Sequence, residues 1–143
     1  MSRSESYVRG GYVLTTDPRR LDSRAVMDFI ATSYWGKGRT LASVKKSLKH
    51  SFNFGLYFGR EQVGLARVIT DFATFAYLCD VYVRPDHQGK GLGKWMMSRV
   101  LKSPALKDVR GWYLKTRDAH GLYGRFGFKR LRGQPRWMQR RTY

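Results

Sequence analysis

Cysteine occurs once in the 143 residues, as Cys79. That excludes an intrachain disulfide and agrees with a reducing compartment, so a cytoplasmic location is expected. Acidic residues are scarce: 10 Asp and Glu stand against 28 Lys and Arg, for a net charge of +18. No apolar run approaches the roughly 18 residues that cross a bilayer, so no membrane partner is expected. The segment Met1–Gly11 lacks the apolar core of a signal peptide and reads as a short mobile leader over residues 1–10. What is present is a hydrophobic fraction of 42% and an aromatic fraction of 15%. These exclude a disordered chain, and the length suits one domain over residues 11–143.

The basic excess is dispersed, but it thickens toward the end as Lys129, Arg130, Arg132, Arg136, Arg140 and Arg141. One reading is attraction for polyanions; the blander one, preferred for most of these charges, is a solvated basic surface. Nonspecific polyanion binding stays open, as does a homodimer. The chain carries no helix-turn-helix, zinc or RNA-recognition motif. A nonspecific basic nucleic-acid-binding module is therefore the competing reading from a different functional class.

Periodicity gives an α+β order. Residues 11–15 alternate as a strand. Asp22 can cap a helix running to about Tyr34, and Thr40 a second helix through Ser51. The period then changes to two over 52–58, 62–70 and 75–83, joined by turns at Gly59-Arg60-Glu61 and Asp71-Phe72-Ala73. A helix from about Gly91 to Lys102 follows. Then come a strand over 111–116, a short helix over 118–126, and closing strands over 128–131 and 136–139.

Between the 75–83 strand and its following helix lies Gln88-Gly89-Lys90-Gly91-Leu92-Gly93-Lys94. Glycines at a strand-to-helix junction bring backbone N–H groups close to whatever lies above the helix N-terminus, where the helix dipole favours an anion. Trp95 after Lys94 rules out a nucleoside-triphosphate loop, which needs Ser or Thr there. The G-x-G-x-G spacing also differs from the dinucleotide fingerprint.

The pattern Gln-x-x-Gly-x-Gly at Gln88, Gly91 and Gly93 resembles that of the GCN5-related N-acetyltransferases, in which the loop wraps the pyrophosphate of acetyl-coenzyme A. A second stretch, Leu122-Tyr123-Gly124-Arg125-Phe126-Gly127-Phe128, is similar to that family's Leu-Tyr-x-x-x-Gly-Phe. The resemblance runs from about Tyr12 onward. It implies a mixed, mostly antiparallel central sheet flanked by helices, in three layers α/β/α. It also implies transfer of an acetyl group from acetyl-coenzyme A directly to an amine, with no metal.

The resemblance further implies roles. Residues 88–94 would hold the coenzyme phosphates, and the backbone of Val81 and Val83 its pantetheine arm. Thr116 stands where the family often has Asn, as a further contact to that arm. Tyr123 would protonate the departing thiolate, a role a phenol suits. Asp80, inside an apolar strand, would either deprotonate the amine or pair with a neighbouring arginine such as Arg67. Cys79 has no identifiable base beside it and is not expected to act as a nucleophile. Tyr34, Trp35 and Arg39, in the connection between the first two helices, would receive the acceptor, with Arg39 on a carboxylate. The expected acceptor is a small-molecule amine; a protein lysine or N-terminus is the alternative.

Overall fold

The computed structural model describes residues 3–133 and 135–142. Its strands are β1 (Ser6–Arg9), β2 (Tyr12–Thr15), β3 (Phe52–Phe58), β4 (Glu61–Thr70), β5 (Phe75–Val83) and β6 (Gly111–Leu114). Its helices are α1 (Ser23–Thr32), α2 (Leu41–Lys49), α3 (Leu92–Leu101) and α4 (His120–Gly124). The strands form one sheet in the order β1-β2-β3-β4-β5-β6. Every pairing is antiparallel except β5 with β6, which the α3 crossover makes parallel.

Alternation divides the sheet into two buried faces. Phe54, Leu56, Ala66, Val68, Ala76 and Leu78 meet Met96, Met97 and Val100 of α3 on one face. On the other, Leu65 and Tyr82 meet Val26 and Ile30 of α1 and Val44 and Leu48 of α2. The result is the expected mixed sheet between helical layers. Each N-terminus of the first two helices is closed as anticipated. The Asp22 side chain accepts from the Ala25 N–H at 3.0 Å, and Thr40 forms a reciprocal capping box with Ser43. Gly36 ends the α1 connection because a Cβ there would lie 2.3 Å from the Ile30 side chain and carbonyl.

Two expectations are corrected. The first ten residues include a strand: β1 pairs with β2 from Ser6↔Thr15 to Arg9↔Tyr12. As an edge strand it buries little, so its sequence carries no clean alternation. The expected closing strands over 128–131 and 136–139 do not form; these residues run without ladder partners, exposed for most of their length.

Candidate active site

Below β5, a 3-10 turn over Pro85–His87 leads into the glycine loop. Gly89 and Gly91 take φ of 82° and 74°, left-handed values that glycine adopts without a Cβ penalty. Gly91 is the N-cap of α3, and no side chain caps that helix, so its first N–H groups are left for a ligand. The Gln88 amide donates to the Val83 carbonyl at 2.7 Å and ties the loop to the end of β5. A recess of about 290 Å3 lies over the loop, lined by Val83, Gln88, Gly89, Gly91–Lys94 and Leu122. A Cβ at Gly89 or Gly93 would meet no atom within 4 Å, so this cradle has room for a group pressed close to backbone. The residues present therefore fit a phosphate-bearing ligand.

Loop side chains contribute unevenly. Leu92 is buried in the core and offers only backbone. Lys90 turns back toward β2, its ammonium 3.2 Å from the Tyr12 hydroxyl, and does not line the recess, whereas Lys94 does. Arg84 is engaged by Asp86 and Glu61. Arg9, inside the expected leader, donates to the Gly91 carbonyl at 3.3 Å. Nothing in its local sequence signals that contact, which spans 82 positions.

A wedge opens beside the loop. β5 and β6 pair only from Phe75↔Gly111 to Leu78↔Leu114, while β5 runs on to Val83. On its other side β5 carries a bulge. Leu65 faces Tyr82 and Arg67 faces Cys79, which leaves Asp80 and Val81 opposite Ala66 alone. Asp80 has φ of 50°, a left-handed value rare for a residue with a side chain. The side chains of Val81 and Val83 pack against the core, so only their backbone is offered to the wedge. Helix α4 lies across the opening: Leu122 reaches the recess, and Tyr123 lines a groove with Leu114 and Thr116.

Asp80 gathers the residues of the α1–α2 connection. Arg39 grips it with two bonds of 2.8 and 3.0 Å, Arg67 Nε donates at 2.8 Å, and the Trp35 indole N–H donates at 3.2 Å. Burial by itself raises this carboxyl pKa, but the hydrogen bonds and charges of Arg39 and Arg67 outweigh it and hold it below the usual carboxylate range. Of the two readings of Asp80, the geometry gives pairing with Arg67 and adds Arg39. A carboxylate so held is a weak base. The Arg39 fork, expected on an acceptor carboxylate, is directed at Asp80 instead. One carboxylate between two guanidiniums leaves a surplus positive charge at the site.

Tyr34, 48% exposed, bridges toward the other wall. Its hydroxyl accepts from the Arg117 N–H at 3.3 Å, and the Arg117 guanidinium lies 3.7 Å over its ring. Arg117 has no sequence signal beyond its charge. The Tyr123 hydroxyl has no hydrogen-bond partner among the described residues. Burial raises its pKa, with smaller contributions from Tyr34 and Asp118, so the phenol keeps its proton at neutral pH. The Thr116 hydroxyl accepts from the Ala119 N–H at 3.0 Å and shapes the turn into α4. Burial pushes the Cys79 thiol up to about 11, against a smaller lowering by Arg67, which makes it inert as a nucleophile. Among the described residues no group of His, Cys, Asp and Glu is placed to hold a metal, and no helix is long and apolar enough to cross a membrane.

The family model for the acetyltransferase (GNAT) domain matches residues 50–130. A Gibberella zeae protein named as an acetyltransferase is 31% identical, covering 87% of this chain and 82% of its own. A Xanthomonas campestris crystal structure, described as an acetyltransferase of the GNAT family, superposes with a TM-score of 0.87 at 40% identity. It covers 91% of this chain and 92% of that one. Rv2747 of Mycobacterium tuberculosis, solved in complex with CoA and NLQ, shares the fold with a TM-score of 0.63 at 18% identity, covering 82% and 74%.

Proposed function

Because the chain belongs to the GNAT acetyltransferase family and is an acyltransferase, we propose that it moves an acetyl group from acetyl-coenzyme A directly to the amine of a small, amino-acid-like acceptor. The observation that carries this reading is the wedge between β5 and β6, with the open glycine recess at one end and the unbonded Tyr123 hydroxyl beside it. A fold relative solved with CoA supports the choice of coenzyme.

Acetyl-coenzyme A supplies an acyl group activated as a thioester. The N–H groups of residues 89–94 hold its phosphates, with Lys94 adding charge. Lys90 assists from the side, through the fold of the loop. The free edge of β5 at Val81 and Val83 takes the extended arm as an added strand would be taken, and an N–H there polarises the thioester carbonyl. Thr116 fixes the turn that presents α4. The amine must arrive neutral; as its nitrogen bonds to the acyl carbon and the C–S bond breaks, Tyr123 delivers its proton to the departing sulfur, and the proton shed by the new amide nitrogen passes through solvent to restore the Tyr123 phenol. Asp80 acts as a positioning residue: it locks Arg39, and with it the connection bearing Tyr34 and Trp35, over the acceptor end. Positioning two substrates in one wedge supplies much of the rate.

A coenzyme A-release assay over small amines, amino acids and basic peptides tests the reading. Turnover with a small carboxylated or aromatic amine is the expected result. Turnover confined to basic peptides would move the acceptor to a protein lysine or N-terminus, and no turnover together with no coenzyme binding by calorimetry would overturn the proposal.

A further inference from the structure

The sheet ends at β6, whose only ladder partner among the described residues is β5. Beside it lies a groove of about 1120 Å3, running from Leu101 and Trp112 past Lys115 to Phe128–Arg132. Among the described residues no carboxylate lines it; Lys115, Lys129 and Arg130 do. None of these three, nor Arg136 beyond them, meets a carboxylate in an ion pair among the described residues.

Tyr113 joins this groove to a ladder of aromatic rings. Its ring stacks on Phe75 at 5.0 Å and 19°, and Trp137 meets it edge-on at 5.4 Å. The ladder is open to solvent: Phe75 is 38% exposed and Trp137 52%. Isolated exposed aromatics need no explanation, but three in contact, bordered by unpaired cations, form a surface of defined chemistry. Cations along a groove track a phosphate backbone, and exposed ring faces stack on bases. A duplex hides those faces, and an acidic peptide lacks them.

We propose that the Phe75–Tyr113–Trp137 ladder and the basic edge of the β6 groove at Lys115, Lys129 and Arg130, with Arg136 beyond, form a docking surface for single-stranded nucleic acid. Recognition is by charge and stacking, without base readout. The net charge of +18 adds long-range attraction to the same partner. Tyr123 and Thr116 line the active-site end of the same groove, whereas Phe75 and Trp137 line neither that groove nor the glycine recess, so the ladder lies outside the acetyl-transfer site.

Fluorescence anisotropy of the full chain with a labelled oligouridylate tests this. The comparison arms are an RNA duplex of equal length, polyglutamate of equal charge and phosphatidylglycerol vesicles. The oligouridylate is expected to bind most tightly. With four phosphates neutralised, log affinity against log salt should fall with a slope of about −3. Trp137→Ala is expected to weaken binding about tenfold, the worth of one stacked base, and Trp137→Phe to retain most of it. Replacing Lys129, Arg130 and Arg136 together by Gln should reduce the slope by about 2. Acetyl transfer to a small amine by the Trp137→Ala protein should match the wild type, which confirms its fold. Equal or tighter binding of duplex, polyglutamate or vesicles would overturn the proposal, and so would unchanged affinity in Trp137→Ala. Complete displacement of the oligouridylate by coenzyme A would also overturn it, by reducing the surface to the coenzyme's own phosphate site.

Discussion

Asp80 combines a left-handed backbone, deep burial and four donors on one carboxylate. Removing its charge leaves Arg39 and Arg67 facing each other without a counter-charge. Asp80→Asn should therefore destabilise the protein by about 3 kcal/mol, at the lower end for a broken buried pair because Arg39 is partly solvated; denaturant unfolding measures it. The same carboxylate sets a pH dependence. Its folded pKa is depressed, so its contribution is complete above the ordinary value of about 3.9 and is lost as pH falls through the lower folded value. An Asp80→Asn protein should accordingly show less acid-induced loss of stability than the wild type. At Tyr123 the expected outcome is kinetic. Tyr123→Phe should bind coenzyme as before and slow acetyl transfer about 10²–10⁴-fold, the usual cost of losing an acid that acts in the transition state. An unchanged single-turnover rate would return the ring to its packing role against Phe128. Cys79→Ala should keep its activity, since a thiol raised to about 11 is not an attacking group at neutral pH.

The glycine loop is an element that offers a ligand backbone rather than side chains. Gly91→Val places a β-branched residue at φ 74° and a Cβ 3.5 Å from the Arg9 guanidinium. Coenzyme affinity should fall by at least tenfold in calorimetry, while the far-UV spectrum stays that of the folded sheet; intact affinity would relocate the phosphate site. The turn at this loop was legible in sequence because it is local: glycine spacing between an apolar run and an amphipathic one marks a strand-to-helix junction. The bounds of β3 and β5 were legible for the same reason, through alternation over 52–58 and 75–83. Long-range partners were not. β1 is four residues with one inward ring, Tyr7, and only pairing with β2 makes it a strand. Residues 128–131 alternate well enough to suggest a strand yet find no neighbour. The bulge at Asp80 is likewise a property of two strands, invisible in either one. Arg39 looked available for a ligand because the sequence does not reveal that the connection folds back onto β5.

At the scale of the whole molecule, charge is expected to select among acceptors. A chain of net charge +18 surrounds its wedge with positive potential, and the Arg39–Asp80–Arg67 cluster carries a surplus positive charge into the acceptor end. A field of this sign is expected to attract an anionic coenzyme and repel cationic acceptors. Steering of this kind is screened as the Debye length shrinks from about 10 Å at 0.1 M salt to about 3 Å at 1 M. So kcat/KM for acetyl-coenzyme A should decline steeply with salt while kcat with a saturating small amine changes little. In an acceptor panel at low salt, amines bearing a carboxylate or an aromatic group should outrank spermidine and lysine-rich peptides. Arg67→Met, which removes the surplus charge but leaves Arg39 on Asp80, should raise KM for a carboxylated amine and leave KM for the coenzyme unchanged. If spermidine is the best acceptor at low salt, the field does not govern the acceptor end, and local contacts to Tyr34 and Trp35 must override it. The roles proposed for the glycine recess and Tyr123 would stand in that case, because they concern the coenzyme rather than the acceptor.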